Sequence, residues 1–191
     1  TPGLARWLTI LVGAILAAGI ARPAHAQFSG NVSLASNEMF RGETISSNDP
    51  AVSLSLGFDG PAGFFAGASA SVAAGGDDPR INSSVQYLGY AVRKGEVSLE
   101  AGVIHRNYRR VIDGAYRKQF FEGYAGIARR SIKARIHVSP DYLRDGRMTY
   151  YGEVNARLLE LGKWGVDGHA GVSLIPHDIG SGRKGLRRYR D

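Results

Sequence analysis

The chain has 191 residues, with 24 Lys and Arg against 17 Asp and Glu, a formal net charge of +7, 26 glycines and no cysteine. That length suits one domain and hardly two, and the missing cysteine excludes a disulfide framework. Setting aside Arg6 and Arg22 in the leader leaves +5. The segment from Arg183 to Asp191 alone carries +4, so the body is close to neutral. A nucleic-acid binder needs a folded basic face with stacking aromatics; this chain has a basic tail instead, and no nucleic-acid partner is expected.

Residues 1–26 read as a signal peptide. Arg6 gives a positive start, Trp7 to Ile20 is an apolar run, and Ala24-His25-Ala26 is a small-x-small cleavage site. The run is shorter than the about 20 residues that a spanning helix needs. The mature chain is expected to begin near Gln27. Because the sequence opens on Thr1, it is expected to be incomplete at its start.

From Gly30 onward polar and apolar residues alternate. Successive side chains of a strand point to opposite faces, so the pattern predicts strands over Asn31–Phe40, Ala51–Phe58, Phe64–Ala73, Ile81–Val92, Val97–His105, Gln119–Ala128, Ile132–Ser139, Thr149–Leu159 and Gly165–Ile175. In the second, Val52, Leu54, Leu56 and Phe58 oppose Ala51, Ser53, Ser55 and Gly57. In the seventh, Ile132, Ala134, Ile136 and Val138 oppose Lys133, Arg135, His137 and Ser139. Strands of about ten residues match a tilted membrane strand.

The connections alternate as well. Arg41–Pro50, Ala74–Arg80, Arg106–Lys118 and Pro140–Met148 are long. Asp59–Gly63, Arg93–Glu96, Arg129–Ser131 and Glu160–Trp164 are short. Short periplasmic turns and long external loops are the pattern of outer-membrane barrels. The loops at Arg41, Ala74, Arg106, Pro140 and Pro176 are therefore expected to face outward. Phe58, Phe64, Phe65, Tyr108, Tyr116, Phe120, Tyr142, Tyr150 and Trp164 fall near strand ends, where an interfacial girdle would lie.

The faces without the apolar series carry Glu100, Lys133, Arg135, His137, Glu153, Arg157, Asp167 and His169. Such groups are expensive to bury dry unless paired, whereas a wet lumen accepts them. These eight are the candidate lumen residues. A soluble sandwich with one solvated face per sheet shares the alternation and stays open as an alternative.

The run Ser36-Asn37-Glu38-Met39-Phe40-Arg41-Gly42, followed by a polar loop and Pro50-Ala51, resembles the opening of a proteobacterial outer-membrane family, the TorF family of porins, or Gcw_chp family of unknown function. The matching residues are Ser36, Phe40, Arg41, Gly42, Pro50 and Ala51, and Phe65-Ala66-Gly67 resembles the family's next element. The resemblance implies an outer-membrane barrel, with a channel as one function open to it, and supplies no catalytic residue. Gly42 also reads structurally, as a residue free to take positive φ at a strand end. Proteins of this kind continue into further strands, whereas this chain ends in Gly185-Leu186-Arg187-Arg188-Tyr189-Arg190-Asp191.

The expected architecture is therefore all-β: a signal peptide over 1–26, an antiparallel up-and-down transmembrane β-barrel over 27–175 with about nine strands, and an external loop and basic tail over 176–191. Nine strands cannot close, because single-chain bacterial barrels have an even count. A full barrel of ten to twelve strands is expected, truncated before its closing strands.

Three functions are consistent with this frame. A porin would pass small solutes passively. A structural or adhesive barrel would have a plugged lumen. A surface enzyme would use His105, His137 or His169 as base, but no nucleophile motif surrounds Ser139 or Ser173, and no enzyme is expected. Asp77-Asp78 suits Ca²⁺, yet a turn rich in Gly, Asp and Pro accounts for the same letters. Neither metal nor cofactor is expected; the expected partners are outer-membrane lipid and small solutes.

Overall fold

A computed structural model describes residues 27–74, 80–109, 119–143, 146–162, 164–178 and 184–190. The leader 1–26, Asp77-Asp78 and Tyr116 lie outside these residues. The strands are β1 (Gln27–Ala35), β2 (Met39–Phe40), β3 (Glu43–Thr44), β4 (Ala51–Asp59), β5 (Phe64–Ala73), β6 (Arg80–Lys94), β7 (Val97–Tyr108), β8 (Gln119–Arg129), β9 (Ile132–Ser139), β10 (Thr149–Leu161), β11 (Trp164–Asp178) and β12 (Lys184–Arg190). Ten of them form one antiparallel sheet in the order β1-β4-β5-β6-β7-β8-β9-β10-β11-β12, while β2 and β3 pair only with each other. The chain is thus an all-β, up-and-down half-barrel. Among the described residues no ladder joins β1 to β12.

Local chemistry explains the ladders. Tight turns at one end use positive φ at Gly63 (92°), Gly95 (62°), Arg130 (52°) and Gly162 (60°), which reverses the chain within two to four residues. Where large side chains stand on the inner face, the neighbouring strand supplies glycine. A Cβ on Gly67 would sit 2.3 Å from the Tyr87 ring, and one on Gly102 would sit 2.8 Å from Tyr124.

The strand expectations need correction at both ends of the sheet. Asn31–Phe40 is not one strand: β1 leaves the sheet after Ala35, and Met39–Phe40 belongs to a separate hairpin. At the break, Asn37 Oδ1 accepts from Thr44 Oγ1 (2.6 Å) and Ser46 Oγ (2.9 Å) and ties the following loop to itself. Nor is 176–191 all loop and tail. β11 runs on to Asp178, and Lys184–Arg190 pairs with it from Asp178↔Lys184 to Val172↔Arg190, making ten strands in the sheet rather than nine. Backbone pairing needs only donors and acceptors, and the free edge of β11 offers both. The arginine-rich letters had hidden this strand because they give it no apolar face.

The two faces of the sheet differ throughout. One presents Val32, Val52, Leu56, Leu88, Val92, Leu99, Val103, Ile127, Ile136, Val154 and Val166, all exposed. The other holds Ser71, Ser83, Glu122, His137 and Ser139, all buried. At the tight-turn end the apolar face carries Phe28 against Phe58 and Phe64 against Tyr90, each pair with centroids 5.0 Å apart, together with the exposed Trp164. Tyr108, Phe120 and Tyr142, expected in a girdle, are instead buried in a cluster with Ile45, Leu143 and Ile175. Phe65 is also inward, tilted against Tyr87.

Candidate functional site

The cluster exists because the loop at Arg41 does not face outward as expected. It turns back over the inner face as a strap. Its tip is the two-residue turn Arg41-Gly42, with φ of 50° and 78°, closing the β2–β3 hairpin through Phe40↔Glu43. Positive φ at both central positions is the tight hairpin turn that suits glycine and strains arginine. Phe40 inserts between Tyr108 (5.1 Å between centroids), Phe120 (6.1 Å) and Tyr142 (6.4 Å). Burying a ring such as Phe120 stabilises by about 1.5–3 kcal/mol, so apolar contact alone gives the strap a firm seat.

Two polar anchors fix its position. On one side, the Glu38 carboxylate accepts from Ser71 Oγ on β5 and from Asn82 Nδ2 (2.7 Å) and Ser83 Oγ (3.0 Å) on β6. On the other, Arg41 Nη2 lies 2.7 Å from Glu122 Oε1 on β8, with side-chain exposures of 6% and 1%. The second Glu122 oxygen accepts from Arg106 Nε of β7 at 2.9 Å. The Arg41 guanidinium also sits over Tyr151 of β10 at 4.0 Å, Phe40 at 4.7 Å and Tyr142 at 5.4 Å. The strap therefore reaches from β5 to β10 across the inside of the half-barrel.

The eight candidate lumen residues all lie on this inner face, in linked groups. Glu100 pairs with Lys133 (3.0 Å) and Arg135 (2.6 Å), and Arg135 stacks over Tyr124 at 5.1 Å. His137 is buried between Glu122 (3.8 Å) and Glu153 (3.5 Å), with Tyr124 and Tyr151 against its ring. His169 Nδ1 donates to Asn155 Oδ1 at 2.8 Å, which leaves Nε2 to accept from the Tyr151 hydroxyl at 3.2 Å. Arg157 binds Asp167 at 2.8 Å. Towards the tight turns Lys133, Arg157, Asp167 and His169 border an open cleft of about 640 Å³. The inner face is thus filled at the long-loop end and open at the other.

The other candidates separate. His105 is on the apolar face, where its Nε2 accepts from Gln119 (2.8 Å) and its Nδ1 donates to Gln86 (2.6 Å). Ser139 donates to the Phe121 carbonyl at 2.6 Å, and His137, its neighbour in parity, faces carboxylates. Of the motif residues, Phe40, Arg41 and Gly42 form the strap tip. Ala51 is buried at the start of β4, and the Pro50 carbonyl accepts from Ala74 at 2.8 Å. Sequence reasoning missed Glu38, Arg106 and Glu122. Arg106 follows the end of the alternating run and reads as loop, yet β7 continues through it to Tyr108. Glu122 stood in the open between Phe120 and Tyr124 at inward parity, and an acid there was the signal that a buried cation must answer it.

The model of a protein family described as a bacterial protein of unknown function, Gcw_chp, matches residues 18–182, and the chain belongs to that family. No curated protein and no solved structure matches it.

Proposed function

We propose that this Gcw_chp protein is an outer-membrane β-barrel through which small solutes diffuse passively, in a lumen narrowed by its own first long loop. The observation that carries the reading is the segregation of the two faces. Large apolar side chains stand exposed along strand after strand on one side, and the charges are gathered and paired on the other. In water that apolar face would be a patch far larger than soluble monomers tolerate. Against lipid it is the expected outer wall, with a polar interior. In lipid an unpaired edge leaves backbone groups unsatisfied at several kcal/mol each, so the membrane form closes β1 and β12 by further strand pairing. The leader 1–26 would deliver the chain across the inner membrane, and the reading assigns no catalytic role to any residue.

A second reading, a structural barrel with a plugged lumen, draws on the aromatic cluster under the strap. Planar-bilayer recording of the refolded full-length protein separates the two. Small, stepwise, voltage-tolerant conductance is expected for the channel. A silent bilayer with correctly folded protein would overturn it in favour of the plug.

A further inference from the structure

The surroundings of the Arg41 guanidinium have the makings of a recognition site for a cation. Two tyrosine rings, Tyr142 and Tyr151, present faces to it from different parts of the chain, with Phe40 beside them. The Glu122 carboxylate closes the box at ion-pair distance. Rings that offer their π-faces together with a carboxylate bind a planar, weakly hydrated cation well. The bound group belongs to a strap, and its fit is incomplete: among the described residues Arg41 Nε and Nη2 are both buried without an aligned hydrogen bond, so the 2.7 Å approach of Nη2 to Glu122 is an ion pair alone. The Arg41 backbone stands in the left-handed region, at a φ of 50°.

Charge points the same way. The fixed groups around the box are Glu122 and Glu153 against Arg106, with His137 between the two carboxylates. Arg135, further along the face, pairs with Glu100, as does Lys133, and stands opposite Glu153 in the ladder. Arg41 is thus one of the two guanidinium groups that answer Glu122 directly.

We propose that Glu122, Tyr142 and Tyr151 form a subsite for solutes bearing a guanidinium group, and that Arg41 occupies it as a tethered internal ligand. A free guanidinium solute competes with Arg41 for the same place and, unlike the tethered side chain, can align its N–H donors on Glu122, which a quaternary ammonium ion lacks. The inference deepens the channel reading by naming a solute class, yet its test needs no conductance.

The experiment uses full-length protein refolded into detergent micelles, with Arg41→Ala compared with wild type in methylguanidinium, methylammonium or tetramethylammonium chloride at equal ionic strength. Methylguanidinium at roughly ten times its dissociation constant is expected to raise the melting midpoint of Arg41→Ala by about 3–5 °C. The wild type, whose box Arg41 already fills, should show a smaller rise that reaches the same ceiling only at higher methylguanidinium concentration, and the Arg41→Ala/Glu122→Gln pair should not respond. If Arg41→Ala fails to refold alone, recovery of folded yield in methylguanidinium but not in the other salts supports the proposal. An equal response to all three cations, no response, or failure to refold in every salt overturns it. A silent bilayer with intact methylguanidinium rescue would sink the channel reading alone.

Discussion

Replacing Glu122 by Gln should damage the protein more than any other single charge removal. The carboxylate is 1% exposed and answers two arginines, Arg41 at 2.7 Å and Arg106 at 2.9 Å, whose side chains are 6% and 17% exposed. Removing one partner of a buried ion pair costs about 3–5 kcal/mol, because the remaining charge stays desolvated. Gln keeps the volume and one acceptor oxygen, so the lower end, about 3 kcal/mol, is expected, a change of more than about a hundredfold in the folding equilibrium. Glu96→Gln is the internal control: Glu96 is half exposed between Arg129 and Arg130, and surface pairs of this kind contribute about 0–1 kcal/mol. Urea titration in lipid vesicles reads both, with Trp164 as reporter, since the other tryptophan is Trp7 in the leader. A Glu122→Gln stability within about 0.5 kcal/mol of wild type would refute the claim that this acid anchors the strap.

Three further outcomes follow from the same geometry. Leu54→Arg should impair membrane assembly by about 2–4 kcal/mol while Ser55→Arg is tolerated, because Leu54 pairs with Val32 and Ala70 on the apolar face and Ser55 with Asn31 and Ser69 on the other; equal yields of heat-modifiable folded protein would contradict the facing. Gly67→Val should lose folded yield through displacement of the Tyr87 ring, which a Cβ would approach to 2.3 Å, and a Tyr87→Ala partner change should restore part of it. Reversal potentials should show at most weak anion preference, because Lys133, Arg135 and Arg157 are offset by Glu100 and Asp167; strong cation selectivity would count against that pairing.

Much of the frame was legible from period-two alternation. Ile132–Ser139 and Phe64–Ala73 coincide with β9 and β5, and the inward parity of Lys133, Arg135 and His137 is what brings them to Glu100, Glu122 and Glu153. What stayed hidden depends on long-range closure. Phe40-Arg41-Gly42 looked like a strand end because its letters continue the alternation, and nothing local says that Arg41 will meet an acid 81 positions later. Glu38 was equally mute, since its partners Ser71, Asn82 and Ser83 are neutral and offer no charge pattern to read. Lys184–Arg190 escaped for the opposite reason: strand identity there rests on an available edge rather than on composition.

The claim that one face of this sheet meets lipid and the other meets water is tested most directly on β9. The chain has no cysteine, so Lys133→Cys, Ala134→Cys, Arg135→Cys and Ile136→Cys can each be refolded into lipid vesicles and labelled with a membrane-impermeant maleimide. The account predicts reactivity that alternates along the strand, with positions 133 and 135 modified and 134 and 136 protected until the lipid is dissolved. Uniform labelling at all four positions, or protection of 133 and 135 with labelling of 134 and 136, would contradict it.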